Sequence, residues 1–412
     1  MKASKYPPMK WEIKDLSKWF KQVPIDVRIG TKKDALTGIQ YEKRCPKISF
    51  KRGRIGEWLR GEAAIAGGPS NDGVPVHTGT HWGYLDYKTP SQYLDRKYAM
   101  ALKFSDTFNS LKPNNNSEER FWLGTPGANT PCHYDTNGFS IHVQITGCKR
   151  WILFPPTDPM RPSRFPYVES TVYSRYNVAG GHIPQGAHPR MVDLKAGDVL
   201  FLPPKWWHCV IVMEDEKSFA AFSVSRSYSL KSDVVERAKE AVIECLMSPL
   251  QHAAEEDDDL EDVINSSRQL PGHISQLIDY ENRPNSAGDD GNEDTGPSTK
   301  RTRKVDPCPM TSFYHTYREL GELLHTIEPS ALSNRLLADN PFTSVEKELP
   351  LLTPGDDGDY SWREPEMVLQ NWSLDLHNIF DAFCDDSTVD RVIQYWRRMH
   401  RNPAPNPNPN DA

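Results

Sequence analysis

Two histidines and an aspartate are the residues of this sequence whose types and spacing best fit a chemical site. Residues 130–135 read TPCHYD, and His208 ends the segment AGDVLFLPPKWWH. Two histidines and one carboxylate on one face of an octahedron leave the opposite face open, which is the ligand set of non-haem Fe(II) oxygenases. His133, Asp135 and His208 are therefore predicted to bind iron.

The elements that carry these residues must bring them together. Residues two apart on a strand point to the same side, so His133 and Asp135 face one interior. His208 lies 73 residues beyond Asp135 at the start of another apolar strand, and distant strands become neighbours in a rolled antiparallel sheet. A bare His-x-Asp also occurs by chance, and a buried histidine with a hydrogen-bond partner is the usual alternative. The GDVLFLP turn before His208 favours the metal site.

Short segments with the character of β-strands surround the three residues. Alternating apolar residues bounded by glycine and proline recur over residues 120–228, which indicates an antiparallel sandwich or small barrel. Residues 157–190 interrupt the pattern and are predicted to form a structured loop at the barrel mouth. Helical spacing is found over residues 11–20, 91–108, 233–250, 310–327 and 364–401. The expected fold is mainly β with α additions.

Six parts are expected along the chain. They are 1–118, lead-in helices and strands packing on the core; 119–230, the β core; 231–281, a helical extension; 282–306, a disordered linker; 307–401, a C-terminal helical region; and 402–412, a disordered tail. The linker and the tail contain too few apolar residues to bury themselves.

Composition limits the class of protein. Of 412 residues, 37% are hydrophobic, and no apolar run approaches the length of a membrane span. The net charge of −7 gives no general attraction to nucleic acid or to anionic membranes. Seven scattered cysteines without a CxxC pair make a poor disulfide framework, so a reducing compartment is expected. The cytoplasm fits this best, with the nucleus as a second compartment.

Several motifs resemble a known family. They are DYK at 86–88, TPCHYD, GCKRWILFPP, PYVESTVYSRYNV and PPKWWH. Residues from about Trp82 to Tyr228 resemble a JmjC domain of the hydroxylase-like branch, which includes the asparaginyl hydroxylase acting on hypoxia-inducible factor. PYVESTVYSRYNV lies outside the metal site and points to a subgroup associated with a small heat shock protein. The resemblance implies a double-stranded β-helix (jelly-roll, cupin) core, and a dioxygenase that uses Fe(II) with 2-oxoglutarate as cosubstrate.

The resemblance also implies roles for single residues. It makes His133, Asp135 and His208 the iron ligands, and it pairs Lys149 of GCKR with the distal carboxylate of 2-oxoglutarate. Thr130 would hydrogen-bond the same carboxylate, and the phenol of Tyr84 would close over it. A buried dianion needs such a cation, because its desolvation is otherwise uncompensated. Without the resemblance, Lys149 would be predicted to be a surface lysine in a hairpin.

Two positions depart from the family pattern. Related hydroxylases often carry asparagine where this chain has Ser140 and Ser225, and both serines are expected near the cosubstrate. Smaller hydroxyls would alter its pose, which weakens the case for turnover more than the case for metal binding. The family also usually begins with an extra strand, so either a shortened N-terminus or a truncated gene model is expected here. Structural roles are predicted for several other residues near the site. Trp206 and Trp207 are expected to support the ligand strand by packing, and Cys132 and Cys209 to lie in the core. His182 and His188 are expected to be exposed, and His142 either faces the cavity or caps a core contact.

Three functional classes follow from this reading. A protein hydroxylase linked to small heat shock protein biology is favoured, because the hydroxylase-like branch that this chain resembles lacks the added reader domains typical of histone demethylases. A low-activity or non-catalytic stress-related adaptor is the alternative that Ser140 and Ser225 keep open. A hydroxylase of tRNA or other nucleic acid, or a histone demethylase, is the third class, and the acidic net charge does not support a nucleic-acid partner. The C-terminal helices would allow a homodimer.

Overall fold

The computed structural model describes residues 6–21, 23–50, 55–66, 75–104, 118–165, 167–168, 170–252, 326–339, 341, 350–352, 360–363, 381 and 384–401. The linker predicted at 282–306, the tail at 402–412 and residues 310–325 of a predicted helix lie outside these ranges. The six-part division of the chain therefore stays a prediction.

Strands dominate the part of the chain that the structure describes. They are β1 Ile25–Thr31, β2 Lys47–Phe50, β3 Ala64–Ile65, β4 His81–Lys88, β5 Arg120–Gly124, β6 Asn129–Asp135, β7 Phe139–Thr146, β8 Cys148–Phe154, β9 Pro162–Ser163, β10 Thr171–Ser174, β11 Arg190–Leu194, β12 Val199–Leu202, β13 Trp207–Met213, β14 Ala221–Tyr228, β15 Leu351–Leu352 and β16 Tyr360–Arg363.

Most of the described α-helices are short, and the two longest follow the β core in the sequence. The α-helices are α1 Lys32–Thr37, α2 Ile55–Leu59, α3 Pro90–Tyr93, α4 Arg96–Ala101, α5 Val234–His252, α6 Pro329–Ala338 and α7 Asp386–Arg401. Within the described part of the chain, 3-10 helices cover Pro7–Lys10, Ile13–Lys18, Glu42–Arg44 and Lys231–Asp233. No helix in the described ranges combines the length and apolar character needed to cross a membrane.

Two antiparallel sheets form the jelly-roll core, as predicted. The larger sheet has the order β12-β7-β14-β5-β4-β1-β2-β16, and the smaller one has the order β11-β8-β13-β6-β10-β9. Lys149 of the smaller sheet contacts Tyr84 and Ser223 of the larger sheet, so the two sheets face each other. The lead-in residues contribute β1, β2 and β4 directly to the larger sheet.

Alternation along the larger sheet directs polar side chains inward. On β7, Ile141 and Val143 pack on the outer face of the sheet, whereas Ser140 and His142 line the space between the sheets. On β14, the three serines at 223, 225 and 227 point inward in the same way. Side chains two apart share a face, so each strand has one apolar face and one polar face. The apolar face is covered by the N-terminal segments, and the polar face lines a cavity.

Gly147 lets the chain pass from one sheet to the other. It connects β7 of the larger sheet to β8 of the smaller sheet and has φ of +70°. A Cβ atom there would lie 2.7 Å from the Ala220 carbonyl oxygen and from the Ala221 Cα. Glycine is suited to a positive φ and to such a close backbone approach. The turn places Lys149 on the second residue of the new strand, facing the cavity.

Some predicted elements differ in the structure. Within the helix expected over 11–20, residues 13–18 form a 3-10 helix, and the helix expected over 91–108 is two short helices, α3 and α4. The stretch 157–190 is more than a loop, because its β10 pairs with β6 as part of the smaller sheet. Periodicity alone did not reveal that this stretch joins the sheet beside the metal-ligand strand.

The helix predicted over 233–250 is observed as α5. Its buried face includes Ala238, Val242, Ile243 and Met247, which pack against α7.

Candidate metal and cosubstrate site

Cross-strand pairing brings the predicted iron ligands together. His133 on β6 lies directly opposite His208 on β13, and Asp135 ends β6 two residues later. The coordinating atoms of the three residues all lie within 4.8 Å of one another. His133 Nε2 is 3.9 Å from Asp135 Oδ1, and the two imidazole rings have centroids 4.1 Å apart. This spacing fits one metal ion held by two nitrogens and one oxygen.

Backbone carbonyls set the orientation of both imidazoles. His133 Nδ1 lies 2.8 Å from the Pro131 carbonyl oxygen, and His208 Nδ1 lies 3.0 Å from that of Trp206. A carbonyl oxygen only accepts, so Nδ1 donates its proton and the Nε2 lone pair is left for a metal. Burial and the neighbouring His133 hold the pKa of His208 well below its usual value, which keeps the ring neutral.

The three residues lie on the wall of a cavity of about 500 Å³ between the sheets. The other predicted site residues also line it: Thr130, Tyr84, Lys149, Ser140 and Ser225. A volume of this size falls within the roughly 300–1,000 Å³ of small-molecule sites. The structure therefore gathers all eight predicted site residues around one cavity.

Lys149 is buried in this cavity without a carboxylate bonded to it in the described structure. Its side chain is 1% exposed, and Nζ donates to Ser223 Oγ at 2.8 Å and to the Tyr84 hydroxyl at 3.4 Å. Burial lowers the pKa of Lys149 to about 7, although Asp86 acts in the opposite direction. A buried ammonium with only hydroxyl partners is costly. A bound carboxylate would offset that cost.

Tyr84 and Thr130 lie beside this ammonium group. Tyr84 is 2% exposed, and its ring packs 6.1 Å from that of Trp122. Its side chain is hydrogen-bonded to Thr130, which is also buried. Burial raises the pKa of Tyr84, so the phenol stays protonated and able to donate. Together with Lys149, these hydroxyls form a polar patch that fits a carboxylate.

The two serines that replace asparagines have partners of their own. Ser140 Oγ lies 2.9 Å from His142 Nε2, and Ser225 Oγ accepts a hydrogen bond from Trp122 Nε1 at 2.8 Å. Of the two positions predicted for His142, the structure shows the one that faces the cavity. Burial lowers the pKa of His142 to about 3. Ser140 and Ser225 thus hold cavity-lining side chains in place.

The residues that were predicted to pack in the core or to be exposed, rather than to form the site, lie away from the cavity. Cys132 and Cys209 are buried in the cluster on the outer side of the smaller sheet. Trp207 packs edge-on against Tyr134 with ring centroids 4.6 Å apart. His182 and His188 are exposed and do not line the cavity.

Several residues of the cavity lining were not predicted from the sequence. Among them are Ser223, Tyr173, Trp151 and Glu42. Ser223 could have been found from the alternation of AFSVSRSY, because it shares a face with Ser225. Trp151 stacks on His208 with ring centroids 5.8 Å apart, and its buried indole N–H has no hydrogen-bond partner among the residues that the structure describes. Nothing in the sequence pattern marks Glu42, which comes from a 3-10 helix far upstream.

A buried ion pair supports the cavity from the N-terminal side. Arg28 on β1 is 2% exposed, and its Nε donates to Asp86 Oδ2 at 2.8 Å. Its Nη2 donates to the Asn129 carbonyl at 2.8 Å, at the start of the strand that carries His133. The guanidinium also lies over the Tyr84 ring, 5.5 Å from the centroid. Arg28 therefore ties β1, β4 and β6 together.

Comparison with known proteins places this domain in a family. Residues 77–229 match the family model described as a cupin-like domain. HSPB1-associated protein 1 of mouse is 31% identical over 255 residues, covering 60% of this chain and 51% of that protein. The human protein of the same name is 32% identical over 257 residues, covering 60% and 50%.

More distant matches are also found. The arginine-specific demethylase JMJ22 of Arabidopsis thaliana is 27% identical over 166 residues, covering 38% of this chain and 31% of that protein. The solved structure of YcfD, a ribosomal oxygenase from Escherichia coli, is 14% identical and covers 64% of this chain and 56% of that chain. The TM-score of that match is 0.26.

These matches confirm the resemblance drawn from the motifs. Residues 77–229 form a cupin-like domain, in agreement with the predicted JmjC-type fold. The chain spans about half the length of the curated relatives it matches.

Proposed function

We propose that this protein is an Fe(II)- and 2-oxoglutarate-dependent oxygenase that hydroxylates a protein. His133, Asp135 and His208 would hold the iron, and Lys149, Thr130 and Tyr84 would hold the distal carboxylate of 2-oxoglutarate. When bound, the iron and the cosubstrate supply the oxidising chemistry that places oxygen on a substrate carbon. The chain itself supplies binding, orientation and exclusion of water.

The observation that supports this proposal is the pairing of two features in one cavity. One is a metal-ligand set with both Nε2 atoms free of backbone bonds. The other is the buried Lys149 ammonium, whose described partners are neutral hydroxyls. A metal site alone would fit many proteins. A metal site that shares a cavity with a buried cation in need of an anion fits a metal-chelating dicarboxylate.

Several cavity residues have a role in the proposed reaction. Lys149 neutralises the buried carboxylate, and Thr130 and Tyr84 complete its hydrogen bonds. Trp151 stacks on His208 and keeps that ring in one orientation. Ser225 fixes the Trp122 indole, which lines the wall beside the cosubstrate pocket. The apolar and aromatic walls limit the access of water to the reacting groups.

A protein substrate or partner is favoured over nucleic acid. The relatives are named for association with HSPB1, which supports a small heat shock protein as partner. The net charge of −7 gives no support for a nucleic-acid substrate. The five described cysteines are free and buried, in keeping with a cytoplasmic location.

A stress-related adaptor with little turnover is the second candidate. Ser140 and Ser225 favour it, because each is shorter than the asparagine of related hydroxylases and is already bonded to a cavity side chain. Such a protein would bind its partner through surfaces that do not need the metal.

Succinate formation separates the two candidates. Purified protein with Fe(II), 2-oxoglutarate and oxygen should form succinate slowly without a substrate and faster with a small heat shock protein. His208→Ala should abolish both rates, whereas His182→Ala, a change at an exposed histidine outside the cavity, should alter neither. Absence of succinate, together with partner capture that survives His133→Ala, would favour the adaptor and contradict the enzyme.

A further inference from the structure

Tyr87 is an aromatic side chain at the opening of the cavity that the proposed iron and cosubstrate chemistry does not use. It lines the cavity and is 61% exposed, so its ring lies where the cavity meets solvent. Among the described residues, Met100 and Leu337 are the only other large hydrophobic side chains that are exposed, and neither lines the cavity. An exposed tyrosine ring at a cavity opening is available to contact another molecule.

The backbone is bent at the point that carries this ring. Tyr87 has φ of +52°, a left-handed conformation that residues with a Cβ atom rarely adopt. It lies in a β-bulge, since the pairing of β4 with β5 shifts register between Leu85 and Lys88. Bulges beside active sites re-aim a side chain, and backbone strain of this kind collects at ligand-binding positions. The bulge here directs the Tyr87 ring to the cavity opening.

The ring in turn contacts a guanidinium group. The central carbon of the Arg120 guanidinium, on the first residue of β5, lies 5.0 Å from the centroid of the Tyr87 ring. The Tyr87 ring packs edge-on against Trp122 with centroids 5.6 Å apart, and the Trp122 indole donates to Ser225 on β14 at 2.8 Å. Arg120, Tyr87 and Trp122 thus form one connected stack, the rim stack, which is hydrogen-bonded to the larger sheet.

Arg120 has no carboxylate bonded to it among the residues that the structure describes. Its described hydrogen bond is long, from Nη1 to the Glu119 carbonyl oxygen at 3.4 Å. The carboxylates of the adjoining chain segments have other partners: Glu118 with Ser91, Glu119 with Arg226, and Asp86 with Arg28. The N–H groups of Arg120 are therefore available for an anion from outside the described chain.

A second cation lies close by in the sheet. Lys88 ends β4 opposite Phe121, the residue after Arg120. The Lys88 ammonium lies 5.8 Å from the centroid of the Tyr93 ring, and no described carboxylate pairs with it. In these adjoining segments, two cations lack a bonded carboxylate and one carboxylate, that of Glu118, lacks a bonded cation.

The carboxylates that line the cavity do not pair with these two cations in the described structure. Glu42 lies in the electrostatic range of Arg28, Lys47 and His133, and Asp135 is a proposed metal ligand. The positive charge at the rim stack is therefore not cancelled from inside the cavity.

A guanidinium held over an aromatic ring is suited to bind an anion. Contact with a ring engages the face of the guanidinium, whereas its N–H donors lie in its plane and match the oxygens of a carboxylate or phosphate. The contact with Tyr87 also restricts a long side chain in advance, which reduces the entropy lost when an anion binds.

We propose that the rim stack is a docking site for an acidic side chain of a polypeptide, next to the residue that enters the cavity. The inference rests on the proposed function, since it concerns how a polypeptide is held at the same site. A carboxylate and a phosphorylated hydroxyl both have the oxygens that Arg120 would bind. A polypeptide is favoured over a small free anion, because its neighbouring residues would cover the exposed ring of Tyr87.

Selection of peptides by inert, loaded protein tests this without turnover. The protein is loaded with Mn(II) and N-oxalylglycine, a non-reacting analogue of 2-oxoglutarate, and selects from random peptides displayed on phage. Aspartate or glutamate should be enriched at one position of the selected peptides. In a fluorescent copy of a selected peptide, replacement of that residue by glutamine should weaken binding about fivefold, the upper end for an exposed ion pair. Phosphoserine at this position distinguishes the two sources of charge, since tighter binding than glutamate assigns the site to phosphorylated partners and weaker binding to carboxylates.

Variants of the chain then assign the preference. Arg120→Gln should bind the glutamate and glutamine peptides equally, and Arg120→Glu should bind a lysine peptide more tightly than the glutamate peptide. Tyr87→Phe, which keeps the ring, should behave as wild type, whereas Tyr87→Gly should lose most of the preference. Arg161→Gln is the matched control, because Arg161 is exposed and lies over the Tyr176 ring at 5.5 Å, outside the cavity. Each variant must still take up Mn(II) and N-oxalylglycine, which shows that it has folded.

The possible failures are distinct. Protein that takes up neither Mn(II) nor N-oxalylglycine contradicts the proposed function, and the selection is then repeated on unloaded protein, since the rim stack contains no metal ligand. Protein that selects no peptides, or peptides without an enriched acidic residue, contradicts the inference alone. A preference that persists in Arg120→Gln and is lost in Lys88→Gln assigns the contact to Lys88 and overturns the role of the rim stack.

Discussion

His133 and His208 are cross-strand neighbours, and each ring is held by the carbonyl oxygen two residues before it in the sequence. The same local device therefore orients both imidazoles, on two strands separated by a long stretch of chain. Because each bond is made to a backbone carbonyl only two residues away, the ring orientations do not depend on a metal. The ligand set is preorganised, which lowers the cost of binding a metal.

Loss of one ligand should remove the metal and leave the fold. His133→Ala or Asp135→Ala should lose Fe(II) or Mn(II), because both side chains line a cavity whereas the sheets are held by their apolar faces. Mass spectrometry of dialysed protein measures the metal content, and circular dichroism measures the fold. His182→Ala, at an exposed histidine outside the cavity, is the matched control. Unchanged metal in His133→Ala would contradict the assignment.

Removal of the buried ammonium should affect the cosubstrate rather than the metal. Lys149→Ala should weaken 2-oxoglutarate binding by about 2–4 kcal/mol, because a buried charge-assisted pair loses one partner. Calorimetry on Mn(II)-loaded protein gives this difference, and Mn(II) affinity should change little. Equal cosubstrate affinity in wild type and variant would point to another cation. Arg150 and Arg226 are poor substitutes, since they pair with Asp193 and Glu119.

The three metal ligands and the residues around them differ in how well the sequence predicts them. His133 and Asp135 have a local signature, because strand alternation fixes their shared direction. Lys149 lacks one: its burial depends on Gly147 turning the chain into the second sheet. Family resemblance, rather than residue pattern, identified this lysine as part of the site.

Glu42 and Tyr173 show what the pattern cannot supply. Tyr173 reaches the cavity because β10 pairs with β6, and that pairing is a long-range contact which local periodicity does not encode. Glu42 lies on a helix of three residues, too short for any periodic signal. By contrast, the strands at 139–146 and 221–228 were predictable, because their alternation of apolar and polar residues is regular.

Cosubstrate binding should depend on pH through Lys149. The pKa of this lysine is lowered to about 7 in the protein without an anion, and a bound carboxylate would raise it. Below pH 7 the ammonium is already charged, so this group does not change the affinity. Above pH 7 binding must also take up a proton, so 2-oxoglutarate affinity should fall by up to about tenfold per pH unit. Calorimetry at pH 8 in buffers of different ionisation enthalpy should show proton uptake.

That proton uptake has a direct control. Lys149→Met removes the titrating group and should leave a weaker affinity that no longer varies through this lysine. Proton uptake that is unchanged in Lys149→Met would assign the linkage to another group.

Breaking the buried Arg28–Asp86 pair should destabilise the whole β core. Arg28→Ala should lower the free energy of unfolding by about 3–5 kcal/mol, because it leaves Asp86 without its cation and the Asn129 carbonyl without its donor. Urea denaturation followed by tryptophan fluorescence measures this change. Arg60→Ala, which breaks the more exposed pair with Glu62, should cost less than about 1 kcal/mol. Equal effects of the two substitutions would contradict the structural role of Arg28.

The position of β16 at the end of the larger sheet has a consequence for biosynthesis. β16 pairs with β2, and 310 residues separate Phe50 from its partner Tyr360. At translation rates of about 5–20 residues per second, the free edge of β2 would wait about 15–60 s for that partner. An unpaired strand edge is a template for association with other chains. During this interval, binding of a chaperone would protect the exposed edge of β2 from association with other chains. Ending the chain before residue 360 would leave that edge unpaired permanently.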